Sequence, residues 1–208
     1  MTISKNSIVR LIKYKNVLYR FKFMGFKKVF SENLADALGL TAAQIRKDFS
    51  VFGIPGNRRG GYTVDELLEK VIHILGKNES HKVIIAGAGN IGNALKNYNG
   101  FERENIIISA LFDIDSDKIN RGNIVPVLPI EEMTEFIKKY EIKIGIIAVN
   151  ASFTQQVLDQ MVLAGIKGVI NFAPVRLKAP DEIFINNIDI ISEIEKVIYF
   201  VTSPLPIE

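Results

Sequence analysis

The chain has 208 residues and no cysteine, which excludes disulfides, thiolate metal sites and cysteine nucleophiles. At 48% hydrophobic residues it can bury a core, yet no apolar run approaches the roughly 20 residues of a membrane span. The N-terminus mixes its apolar residues with Lys and Arg, unlike a secretory signal, so a soluble, cytoplasmic protein is expected. The net charge of +3 conceals two unlike parts. Residues 1–80 carry 14 Lys and Arg against 7 Asp and Glu, whereas residues 81–208 carry 12 against 16. A basic module joined to a mildly acidic one suggests different partners, and attraction to phosphate is the commonest reason for the basic one.

In chain order, Ile8, Leu11, Ile12, Val17, Leu18 and Phe21 form an apolar stripe at helical spacing, with Gly25 as a stop. Ser31 is the expected N-cap of a short helix holding Leu34, Ala35 and Leu38, which Gly39 ends. Thr41 and Gln44 in "TAAQ" form a capping-box pattern that opens a helix to about Phe52. "GIPGNRRGGY" (53–62) is expected to be a turn or hairpin. A second capping box, "TVDE" from Thr63, opens a helix through about Leu75, and "GKNESHK" (76–82) reads as a linker.

On the helix over 41–52, Ala42, Ile45, Phe49 and Phe52 share one face and must be core. Ala43, Arg46, Lys47 and Ser50 fall on the opposite face, which is flat and basic. Small residues there admit close approach, and Arg and Lys reach phosphates or guanine edges in a major groove. With the preceding helix and the tight "GLT" connection this is a helix-turn-helix. The following Asn57–Gly61 segment is a candidate wing, whose Arg58 or Arg59 suits a narrow minor groove.

Beyond the linker, β-branched runs alternate with amphipathic helices. "KVIIAG", "NIIISALFDID", "KIGIIAVN" and "KGVINFAP" read as strands, separated by helices over "IGNALKNY", "IEEMTEFIKKY" and "FTQQVLDQMVLAG". The alternation predicts a parallel sheet covered on both faces, an α/β fold. "IDIISEIEKVIYFV" predicts a C-terminal helix.

The first of these strands runs into Gly87-Ala88-Gly89-Asn90-Ile91-Gly92, a dinucleotide-binding turn. Gly87 permits the tight turn, Gly89 lets the backbone approach a pyrophosphate, and Gly92 lets helix and strand pack closely. Asp113 lies 21 residues past Gly92, at the end of the next strand, where a carboxylate accepts from a ribose 2′-hydroxyl and repels a 2′-phosphate. NAD(H) is therefore expected over NADP(H). Hydride transfer to a carbonyl usually needs a nearby proton donor. Both histidines, His73 and His81, precede the nucleotide fold, no Tyr-x-x-x-Lys pair exists, and no room remains for a substrate domain. The expectation is binding without catalysis and without a metal. A small NAD-dependent oxidoreductase is the competing class, and a CoA- or nucleotide-binding ligase module is a third, disfavoured by the basic wing and Asp113.

Taken together, "LTAAQIRKDFSVFG" (40–53), "GGY" (60–62), "GAGNIGNAL" (87–95), "FDID" (112–115), "AGIKGVINFAPVRL" (164–177) and "NIDI" (187–190) resemble the Rex redox-sensing transcriptional repressors of bacteria over nearly the full length. The resemblance implies an N-terminal winged helix-turn-helix domain (1–77), a Rossmann-type NAD-binding domain (78–187) and a C-terminal segment (188–208) exchanged between subunits of a homodimer. It implies palindromic operator DNA as partner and NADH and NAD as allosteric ligands, with release from DNA when NADH accumulates. By the same resemblance Arg10, Ala43, Gln44, Arg46, Lys47, Ser50, Arg58 and Arg59 form the DNA-binding set. Gly87, Gly89, Asn90, Ile91, Gly92, Asp113, Ile114, Val149 and Asn150 form the cofactor set. Tyr98 and Asp189 stand where the family senses the nicotinamide state across the dimer. On the residues alone, Tyr98 reads equally as helix-end packing and Asp189 as an N-cap. The chain departs from the family at Asn16 (commonly Arg), Asn150 (commonly Pro) and Arg59 (usually Gly), which bears on the operator sequence and the NADH response.

Overall fold

The computed structural model describes residues 3–56 and 60–203. It divides into two units, Met1–Glu79 and Ser80–Glu208.

The first unit is mainly helical: α1 (Lys5–Phe23), β1 (Lys28–Val29), α2 (Ser31–Leu38), α3 (Ala42–Val51), β2 (Tyr62–Thr63) and α4 (Val64–Ile74). Its core joins Leu11, Tyr14 and Leu18 of α1 to Leu34, Ile45, Phe49, Leu67 and Val71. The Tyr14 and Tyr62 rings meet the Phe49 ring edge-on at 5.5 and 5.2 Å. Thr41 caps α3 as expected, its hydroxyl accepting from the Gln44 N–H at 3.1 Å. Two other caps differ from expectation. Phe30, not Ser31, is the N-cap of α2; Ser31 is buried inside the first turn, and Asn33 Oδ1 instead accepts from the Phe30 N–H. Thr63 makes no side-chain cap, because β2 draws it into pairing with Lys28. Of the 53–62 segment, expected to be a turn or hairpin, residues 57–59 lie outside the described residues; Tyr62 at its end pairs with Val29, in a strand that precedes α2. Two paired residues carry no periodicity, so that strand left no trace in the sequence pattern.

The second unit contains β3 (His81–Ala86), α5 (Asn90–Lys96), α6 (Gly100–Arg103), β4 (Ile106–Asp113), β5 (Val127–Pro129), α7 (Met133–Tyr140), β6 (Ile144–Ile147), α8 (Thr154–Ala164), β7 (Gly168–Asn171), β8 (Phe184–Asn187) and α9 (Ile190–Thr202). Every pairing in the six-stranded sheet is parallel, in the order β5-β4-β3-β6-β7-β8. Ile84, Ala86, Phe112 and Ile147 face the core shared with α7 and α8, while Val83, Ile85, Leu111 and Ile146 face Leu95 and Phe101. This is the two-faced burial expected of continuously apolar parallel strands. β5, β8 and α6 had no counterpart among the expected elements; they are three or four residues long. The order reverses between β3 and β6, the switch point at which such sheets open a crevice beyond their carboxyl ends.

Candidate functional site

The glycine turn lies at that switch point. Gly87 has φ +104°, and a Cβ there would stand 2.4 Å from the Ala148 carbonyl oxygen. A Cβ on Gly92 would stand 1.9 Å from the Gly87 carbonyl oxygen. Both glycines are therefore required by the protein's own packing. Gly89 is different: a Cβ there meets nothing within 4 Å. The space above it is open, as a cradle for a phosphate-bearing ligand requires. The turn is tied from behind by Asn93, whose Nδ2 donates to the carbonyls of Ala88 (2.7 Å) and Gly89 (3.1 Å).

Asp113, at the end of β4, faces the turn. Its Oδ2 accepts from the Ala88 N–H at 2.7 Å and its Oδ1 from the Asp115 N–H at 3.0 Å. The Lys118 ammonium lies 3.3–3.4 Å from both oxygens. Burial pushes this carboxyl up, but the two amides and Lys118 outweigh it and hold it below the usual carboxylate range. An ionised acceptor thus stands beside the cradle. Gly87, Gly89, Asp113, Ile114, Val149 and Asn150 together line a cavity of about 330 Å³, with Lys118, Phe153 and Gln156 as members not foreseen. Asn90, Ile91 and Gly92 open α5 and lie outside its lining, so they bear on a ligand only through the first-turn amides of the helix. The open cradle and the adjacent carboxylate fit a dinucleotide's pyrophosphate and ribose.

Tyr98 and Asp189 do not line the cavity. Tyr98 is exposed just beyond α5, packing edge-on with Phe101 at 5.1 Å. Asp189 caps α9: Oδ1 accepts from the Ser192 N–H at 3.1 Å and Oδ2 from the Ser192 hydroxyl at 2.6 Å. The Ser192 hydroxyl and N–H hold its carboxyl below the ordinary range.

In the first unit, Ala43, Arg46, Lys47 and Ser50 are all exposed along α3, as its face requires. Arg46 Nη1 donates to Glu32 of α2 at 3.2 Å, and Arg46 and Ser50 line a surface cleft with Phe30 and Tyr62. Arg58 and Arg59 fall outside the described residues. Arg10, expected in the DNA-binding set, stands partly exposed on α1. Its guanidinium grips Asp48 of α3 through Nε (2.6 Å) and Nη2 (2.7 Å), and Nη2 also reaches the Ser7 hydroxyl at 3.3 Å. The physical reason is Asp48, which is only 2% exposed and needs a charge partner. Asp48 also accepts from the Tyr14 hydroxyl (2.6 Å) and from Gln44 Nε2 (2.9 Å). Burial raises the Asp48 carboxyl, yet these donors, Arg10 first, outweigh it and keep it below the usual range. Burial and the Asp48 bond push the Tyr14 phenol up. Sequence reading missed Asp48 and Tyr14; the only signal was a lone Asp on the inward side of an otherwise apolar face. Asn16 is exposed on α1.

Two domain families match the chain: a putative DNA-binding protein N-terminus over residues 2–50 and a CoA binding domain over residues 78–175. The redox-sensing transcriptional repressor Rex of Carboxydothermus hydrogenoformans is 39% identical over 194 residues, 93% of each chain. The Rex-family repressor RSP, solved with β-NAD⁺ and operator DNA, is 34% identical and superposes with a TM-score of 0.92, over 97% of this chain and 93% of that one. Its complex with β-NADH gives 0.86 at 34% identity, over 97% and 95%. With a winged-helix first unit, a Rossmann-type second unit and full-length relatives at this identity, the chain belongs to the Rex family of redox-sensing transcriptional repressors.

Proposed function

We propose that this chain represses transcription by binding an inverted-repeat operator as a homodimer and leaves DNA when NADH fills the pocket. The observation that carries the reading is the pairing, in one chain, of an exposed basic recognition face on α3 with an open glycine cradle beside the ionised Asp113. Asp113 suits a free ribose 2′-hydroxyl and disfavours a 2′-phosphate. Arg46 and Lys47 supply charge to the major groove, and Ala43 and Ser50 allow close approach. Arg58 and Arg59 are assigned to the minor groove by the sequence reading alone. The pocket acts as a sensor: NADH and NAD⁺ shift the protein between states only by the difference in their affinities for each.

The dimer is assigned to α9. Ile190, Ile191, Ile194, Val197, Ile198, Tyr199, Phe200 and Val201 are each more than half exposed. A helix with so much bare apolar surface needs a cover, and exchange of this helix with a second copy supplies it. Across such a dimer, Tyr98 and Asp189 are assigned to sensing the nicotinamide. Asn16, where the resemblance leads one to expect Arg, is assigned an altered coupling between that sensor and α1.

The test is a gel-shift titration of a palindromic promoter probe with NADH and with NAD⁺. Release by NADH at concentrations where NAD⁺ leaves the complex intact is expected, and equal inhibition by both defeats the redox switch. Steady NADH turnover with a panel of carbonyl compounds instead identifies an oxidoreductase.

A further inference from the structure

Gln44 occupies the first turn of α3, the part of a recognition helix that meets base edges. It is half-buried between the exposed Ala43 and the buried Ile45. Its Nε2 donates to Asp48 Oδ1 at 2.9 Å. Asp48 in turn is gripped by Arg10 and Tyr14 through bonds of 2.6–2.7 Å. An ionised carboxylate only accepts, so it dictates which end of the Gln44 amide faces inward. The nitrogen must turn toward Asp48 and the oxygen away, because Oε1 is repelled by the same charge. That repulsion also favours the N–H trans to Oε1 as the one given to Asp48. The cis N–H and Oε1 then remain as an adjacent donor and acceptor. This pair complements the N7 acceptor and N6 amino donor that adenine shows in the major groove.

We propose that Asp48, held by Arg10 and Tyr14, is a positioning residue that locks the Gln44 amide to read one adenine in each operator half-site. The proposal rests on the DNA-binding reading above and adds to it a base and a residue that sets the choice. An unrestrained glutamine rotates its amide and accepts either polarity of partner. Here the amide is set before DNA arrives, so its preference is fixed by a residue that touches no base.

The test is selection by the full chain from a library of inverted-repeat duplexes with randomised half-sites. Wild type should enrich adenine at one fixed half-site position. Replacing that adenine with 7-deazaadenine, which lacks N7 but keeps the N6 amino group, should weaken binding roughly 5- to 150-fold, the cost of leaving the Gln44 N–H without its acceptor. Gln44→Met should lose the adenine preference. Asp48→Asn can present either end of its own amide to Gln44. It should lose that one preference while the other positions, and the slope of affinity against salt, stay as in wild type. Retention of the adenine preference by Asp48→Asn overturns the proposal. So does loss of every base preference together with a changed salt slope, since that is the mark of a merely structural residue. A preferred base other than adenine at the Gln44-dependent position also overturns it. Should Asp48→Asn not fold, the side-chain amide resonance of Gln44 in wild type decides. It is identified by its absence in Gln44→Met. Protected, inequivalent amide protons support the lock, and a freely solvated amide overturns it. A wild-type chain that enriches no sequence at all overturns the DNA-binding reading itself, and this proposal with it.

Discussion

Substituting alanine at Gly89 and at Gly92 should separate what the glycine turn does for a ligand from what it does for the fold. At Gly92 the new Cβ would lie 1.9 Å from the Gly87 carbonyl oxygen, where real Cβ contacts essentially never fall below 3.0 Å. The turn must therefore move by about 1 Å or more, against backbone that cannot rotate away. Forced overpacking of this kind costs about 1–3 kcal/mol. For a chain of this size each kcal/mol lowers the melting temperature by roughly 2–4 °C, so a fall of about 2–12 °C is expected. At Gly89 the backbone is extended, with φ −78° and ψ −163°, and the Cβ meets nothing. The ligand-free protein should be unchanged, or stabilised by about 0.4–1 kcal/mol through a less flexible unfolded chain. Binding should nevertheless suffer, because the methyl group occupies the open cradle. Loss of one hydrogen bond to a charged phosphate costs about 1.5–3 kcal/mol, which is roughly 10- to 150-fold in NADH affinity. Differential scanning calorimetry without ligand and isothermal titration with NADH read the two effects. Undiminished NADH affinity in Gly89→Ala would refute the placement of the pyrophosphate, and an unshifted melt in Gly92→Ala would refute the packing argument.

Asp113→Ala removes the acceptor beside the cradle and leaves Lys118 paired with Asp115 alone. NADH affinity should fall by about 10- to 150-fold while NADPH gains relative to NADH, measured by competitive titration; unchanged affinity for both would dismiss the ribose contact. Asp48 has a carboxyl held below its ordinary range in the folded chain. It therefore stabilises the first unit fully above the unfolded carboxylate value of about 3.9, and that contribution is lost as pH falls through the lower folded value. Wild type should be destabilised on acidification through that window more steeply than Asp48→Asn, followed by circular dichroism; parallel curves would show that Asp48 is not the group responsible. Arginine at both Ile194 and Ile198, one turn apart on the exposed face of α9, should convert a dimer to monomers in sedimentation equilibrium. A variant that stays dimeric would move the interface elsewhere.

The long elements of this protein were legible in its residues. α1, α3, α4, α8 and α9 follow apolar periodicity, which is set by contacts between near neighbours along the chain; the glycine turn and Asp113 follow a recurrent spacing, although the contacts that require them, Gly87 against Ala148 and Asp113 to Ala88, are distant in sequence. The Thr41 cap is local, one hydroxyl meeting an amide three residues on. Ser31 carried the same local signal and is buried inside the first turn instead, while Thr63 holds the N-cap position of α4 but, drawn into strand pairing, makes no side-chain cap. β1 and β8 left no pattern, because a strand this short is defined by the partner it lies against. The same holds for Arg10. The resemblance places it in the DNA-binding set, and only the fold brings its guanidinium against Asp48, 38 residues away and deprived of water. Local chemistry thus determined the kinds of element, and a recurrent spacing the dinucleotide turn. Helical spacing already turned Arg46 and Lys47 outward, but only the fold decided that Asp48 is buried and what neutralises it, because the cost of burying a lone carboxylate is settled by whatever the tertiary packing brings beside it.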